Sequence, residues 1–119
     1  MIVDFIIELL AILLPKHFKI TRSDNVSTWY KEGVMGQLSP EANEGRRKIA
    51  KLYNQKGQEL HITSLREGTH SAGSKHWQGD AWDQRFGKVT KKECKAVLGD
   101  DFDVVDESNH RHIEYDPKI

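Results

Sequence analysis

A chain of 119 residues, 37% hydrophobic and 30% charged, has room for one folded unit with a modest core, and too many apolar side chains to stay disordered. Eighteen Lys and Arg balance eighteen Asp and Glu, which leaves no net field to gather nucleic acid or anionic lipid. The one cysteine, Cys94, excludes an internal disulfide and reads as a small buried apolar side chain.

Residues 1–16 open with an aliphatic run whose only acids are Asp4 and Glu8, ended by Pro15-Lys16. The run lacks the basic start and small-residue cleavage site of a secretory signal, and it is too short and too acidic to span a bilayer. Asp4, Glu8 and Ala11 fall at helical spacing, which predicts an amphipathic helix packed on the domain or on a partner. Weak membrane association through residues 1–14 is the alternative. Residues 17–37 are expected to be irregular, because a polar stretch over 21–27 breaks any periodicity.

Residues 38–119 carry the predicted functional domain. Ser39 caps a helix with Pro40 at its first position, Ala42, Ile49, Leu52 and Tyr53 mark its apolar face, and Gly57 stops it after Gln55. Leu60 to Leu65 reads as a β-branched strand, 66–79 as a Gly-, Ser- and His-rich loop, and Ala81-Trp82-Asp83 as a return to strand. Thr90-Lys91-Lys92-Glu93 has the capping-box pattern and opens a short helix closed by Gly99. Phe102 to Val105 and His110 to Tyr115 are predicted as two last strands joined by a turn at 106–109. Strands and helices mix without strict alternation, so the fold class is α+β: a single domain with a mainly antiparallel sheet and flanking helices.

Apart from His17 and His61, the six histidines fall into two clusters. His70 and His76 are followed by Asp83; His110 and His112 are preceded by Glu107. Imidazole nitrogens and carboxylate oxygens are zinc donors, and a catalytic zinc takes three protein ligands plus water. On a strand His110 and His112 would project from one face roughly 6.5–7 Å apart, so that one binds metal and the other stands beside a substrate. Trp77 and Trp82 are expected to pack behind such a site. Asp80 and Glu114 are available to orient its imidazoles.

The run Ser74-Lys75-His76-Trp77-Gln78-Gly79-Asp80-Ala81-Trp82-Asp83 resembles the S-x-H-x-x-G-x-A-x-D signature of the zinc D-Ala-D-Ala carboxypeptidases and related cell-wall endopeptidases, whose fold also carries the Hedgehog signalling domain. Residues 107–115 are similar to that family's closing acid-then-H-x-H strand, and the resemblance spans about Ser39 to Tyr115. It implies a Hedgehog/DD-peptidase-like fold in which Zn2+ is held by His76, Asp83 and His112, with His110 as the alternative third ligand. It further implies Glu107 as general base, with Arg66, His70 and His110 assisting the reacting carbonyl. The implied activity is hydrolysis of peptidoglycan stem peptides, by a carboxypeptidase or an endopeptidase of endolysin type. A non-catalytic Hedgehog-like zinc domain used as a binding module is the alternative. A monomer acting at the bacterial cell wall, either phage-encoded or a stripped-down bacterial enzyme, is the expectation that accompanies this reading.

Overall fold

Short runs rich in β-branched and aromatic residues bury one face each, and pairing them side by side closes the sheet. The computed structural model describes residues 18–21, 26–67 and 74–118. It shows a small α+β domain with two helices and one six-stranded, mostly antiparallel sheet. In chain order come β1 (Phe18–Thr21), β2 (Ser27–Tyr30), α1 (Pro40–Gln55), β3 (Leu60–Ser64), a 3-10 turn (Lys75–Gln78), β4 (Ala81–Gln84), α2 (Lys91–Leu98), β5 (Phe102–Asp106) and β6 (Arg111–Tyr115). The strands lie in the order β1-β2-β3-β4-β6-β5. Only β2 and β3 pair in parallel, and α1 is the crossover that a parallel pair requires.

Both helices start where the sequence predicts, for the predicted reasons. Ser39 Oγ accepts the Ala42 N–H at 3.2 Å, and Pro40 occupies the first turn, where no N–H is needed. Thr90 and Glu93 cap each other reciprocally at the start of α2. The buried face of α1 includes Ala42, Gly45, Ile49, Ala50 and Tyr53. Gly45 is required there, since a Cβ would come within 2.5 Å of the Phe102 ring. Burial pushes the Cys94 thiol pKa up, which suits a packing residue rather than a nucleophile.

The helices cover one face of the sheet. Trp82 Nε1 donates to Gln84 Oε1 at 2.9 Å, Gln84 Nε2 to the Tyr53 hydroxyl at 3.0 Å, and Arg111 to the Val89 carbonyl at 2.7 Å. Trp82, Gln84, Arg111 and Ile113 are therefore the inward residues of β4 and β6. Strand alternation sends Asp83, His112 and Glu114 to the opposite face. Arg111 also grips Asp106 through Nε at 2.5 Å and its second amino group at 3.3 Å, closing the root of the β5–β6 hairpin.

Two expectations need correction. The segment 17–37 is not irregular: β1 and β2 form an antiparallel pair within it, and β2 continues into the same sheet as β3. Each strand has four residues, too few for a visible period, and pairing supplies what the local pattern lacks. His110 is not on a strand, because the Glu107 N–H donates to the His110 carbonyl at 2.9 Å and holds His110 in the turn before β6. The helix predicted over 1–16 lies outside the described residues. Among those described, no helix is long and apolar enough to cross a membrane.

Candidate metal centre

Asp83 on β4 and His112 on β6 are direct cross-strand partners, so their side chains rise together from the face opposite the helices. His76 reaches them from the 3-10 turn, and the spaced residues around it explain why the turn forms. Ser74 Oγ accepts the His76 N–H at 3.2 Å, which starts the turn. Gly79 ends it in the left-handed region at φ +76°, with its N–H on the His76 carbonyl. Ala81 is fully buried, and Asp83 follows two residues on.

At Gly79 two independent constraints meet. A side chain is strained at that φ, and a Cβ would stand 2.7 Å from the Gln37 carbonyl oxygen, which cannot swing aside. Gly79→Ala is expected to cost about 2–3 kcal/mol in denaturant unfolding. An unchanged unfolding midpoint would show that neither constraint holds.

The three side chains form a triangle of donor atoms. His112 Nδ1 is 3.0 Å from Asp83 Oδ1, His76 Nε2 is 3.4 Å from the same oxygen, and the two nitrogens are 3.3 Å apart. His76, Asp83 and His112 thus make a cluster able to hold a metal ion. The far side of each ring is also engaged. His76 Nδ1 is 2.5 Å from the Leu65 carbonyl, which accepts only and so keeps a proton on Nδ1 and leaves Nε2 facing the other two corners. His112 Nε2 is 2.8 Å from Glu114 Oε1, the carboxylate–imidazole pairing that orients metal ligands.

Burial raises the Asp83 pKa, but the His112 and His76 rings outweigh it and hold the carboxyl well below the ordinary range. The hydrogen bond to Asp83 lifts His112; burial opposes, Glu114 adds, and the pKa is pushed up to about 9. A metal at Nδ1 must displace this proton. Below the shifted pKa the free-base fraction of His112 rises tenfold per pH unit, so metal affinity should climb about tenfold per unit from pH 6 to 8. Chelator competition across that range reads the slope, and a flat profile would show that the proton is not in competition. Without metal the sign reverses: a raised histidine pKa contributes stability below about pH 6.5, and that contribution is lost as pH rises through about 9.

The remaining predicted residues divide. His110 Nε2 lies 3.8 Å from Asp83 Oδ1 and 3.5 Å from Glu107 Oε2, which places it between the triangle and the exposed carboxylate of Glu107. Of the two alternatives for the third position, His112 stands in the triangle and His110 beside it. Arg66 is exposed; its N–H donates to the Met35 carbonyl and its stem lies over Gly36. Among the described residues no hydrogen bond or ion pair joins its guanidinium to the triangle. His70 lies outside the described residues. Asp80 contributes through its backbone, donating to Lys75 and accepting from Tyr115, whereas Glu114 acts through its side chain. Trp82 packs behind the site, edge to face with Phe102, but Trp77 is 39% exposed.

Leu65 escapes a reading of the sequence, because what it contributes is a backbone carbonyl and no side-chain type announces one. A register shift between Ile62 and Ser64 re-aims the chain just before it, as bulges beside functional sites do. No family model, curated protein or solved structure matches the chain.

Proposed function

We propose that the chain is a zinc metallopeptidase of Hedgehog/DD-peptidase-like fold that hydrolyses peptide stems of bacterial peptidoglycan. One observation carries the proposal: the donor triangle measures 3.0, 3.3 and 3.4 Å along its edges. Tetrahedral zinc with nitrogen and oxygen ligands at about 2.0–2.1 Å requires edges of about 3.3 Å. Two imidazoles and one carboxylate suit zinc, and three protein donors are the catalytic count, with the fourth position left to water or substrate. The peptidoglycan substrate rests on the resemblance of residues 74–83 and 107–115 to the cell-wall peptidases.

A zinc ion held there supplies Lewis-acid polarisation of the attacking water and of the scissile carbonyl. Glu107 takes a proton from that water as its oxygen bonds to the carbonyl carbon. The same carboxyl then gives the proton to the peptide nitrogen as the C–N bond breaks, leaving a carboxylic acid and an amine, which become carboxylate and ammonium as the second water proton passes between them. His110, adjacent to both Glu107 and Asp83, donates an N–H to the carbonyl oxygen as it gains charge. Arg66 and His70 are assigned supporting roles by the resemblance alone.

The second reading is a non-catalytic zinc domain that binds rather than cuts, and the placement of the Arg66 stem over Gly36 favours it. Incubating the zinc-loaded chain with purified muropeptides and following newly freed amines separates the two. Cleavage is expected, and intact muropeptides beside a fully zinc-loaded chain would leave the binding reading in its place.

A further inference from the structure

The Leu65 carbonyl that sets the His76 tautomer belongs to the Leu65–Arg66 peptide, and one carboxylate braces the segments on both sides of it, the preceding Ser64–Leu65 peptide and Met35. Glu67 Oε1 accepts the Leu65 N–H at 2.8 Å and the Met35 N–H at 3.0 Å, and Glu67 Oε2 accepts the Ser64 hydroxyl at 2.7 Å. The Arg66 N–H in turn donates to the Met35 carbonyl at 2.9 Å, zipping residues 34–36 to the end of β3. Ser64 is also the β3 residue registered opposite Asp83. A single side chain thus ties the strand neighbour of one triangle member to the carbonyl that holds another. Charge-assisted bonds of this kind are stronger than neutral ones, and a carboxylate is acceptor-only, so it fits three donors without conflict.

We infer that Glu67 is a positioning residue for the metal centre: by anchoring the Leu65 N–H and Met35, whose carbonyl holds the Leu65–Arg66 peptide, it keeps the Leu65 carbonyl on His76 Nδ1 and Nε2 aimed at the metal. The inference rests on reading the triangle as a metal site, but the state of the His76 ring can be measured without any metal. With Glu67 gone, the Leu65–Arg66 peptide keeps its bond to the Met35 carbonyl but loses the anchors on either side, so the Leu65 carbonyl can tilt off the imidazole and select its tautomer less strictly.

The test compares wild type with Glu67→Ala and Glu67→Gln. Gln keeps an oxygen for the two backbone donors, and its amide donates to the Ser64 oxygen. Long-range 1H–15N NMR of the imidazoles reads the His76 tautomer, and competition with a chromophoric chelator reads zinc affinity. Wild type and Glu67→Gln are expected to show the Nδ1–H form and similar affinities. Glu67→Ala is expected to mix the tautomers and to weaken zinc binding about 10–100-fold, the usual cost of an outer partner of a ligand. Should Glu67→Ala fail to fold, Glu67→Asp draws the carboxylate back while keeping its charge, and carries the same expectation. An unchanged His76 tautomer in the substituted chain overturns the inference, even where stability falls, because a plain turn cap would do that much. A wild-type chain that takes up no zinc would remove the metal reading, while the tautomer comparison still decides the role of Glu67.

Discussion

Glu107→Gln is expected to lower kcat on muropeptides by about 10²–10⁴-fold while leaving the zinc content unchanged. The substitution keeps the shape of the side chain and removes its ability to accept a proton. Glu107 is exposed at the turn after β5, and its carboxylate meets His110 rather than the donor triangle, so neither fold nor metal depends on it. Measuring zinc and kcat on the same preparation makes the result specific. Full activity in the variant would mean that another group takes the proton, and loss of zinc would mean that Glu107 is a ligand.

His112→Ala and His110→Ala are expected to part company in the same way. His112 supplies one corner of the triangle and is pinned behind by Glu114. Its removal should weaken zinc by more than the ~10–100-fold typical of losing an outer partner. His110 stands outside the triangle at 3.8 Å from Asp83, so His110→Ala should keep the zinc and lose activity through the reacting carbonyl. Chelator competition on both variants decides the matter. The opposite order, zinc lost with His110 and kept with His112, would make His110 the third ligand.

How far the sequence led depended on where the information sits. Helix starts are local: Ser39-Pro40 and the Thr90/Glu93 box satisfy backbone donors within their own turn, and both helices begin where those residues say. The two spaced motifs were legible for a related reason. Ser74, Gly79 and Ala81 each meet a local backbone or packing demand that few other residues meet, and Asp83 then pairs across the sheet with His112. What stayed hidden is non-local. The β1–β2 pair has too few residues to show a period, and β2 joins the sheet by pairing with the distant β3. His110 leaves the strand because a backbone bond across the turn, not its own propensity, sets where β6 begins. Leu65 and Glu67 matter through a carbonyl and the donors that fix it, and neither contact leaves a mark in residue type.

The arrangement also accounts for the division of labour across the sheet. On the helix side, Arg111 joins Asp106 to the Val89 carbonyl, and Gln84 joins Trp82 to Tyr53; these bonds hold β4 and β6 in register. Register is what places Asp83 opposite His112 on the other side, since a slip of one residue between the strands would send the two side chains to opposite faces. The buried polar residues of the core thus serve the geometry of the exposed face.

The most direct test is the zinc content of the purified wild-type chain, measured by elemental analysis after zinc loading and gel filtration, beside His76→Ala carried through the same steps. One zinc per wild-type chain, with none retained by the variant, is the predicted result. A folded wild-type chain that elutes without metal, or a His76→Ala chain that keeps a full equivalent, would contradict it.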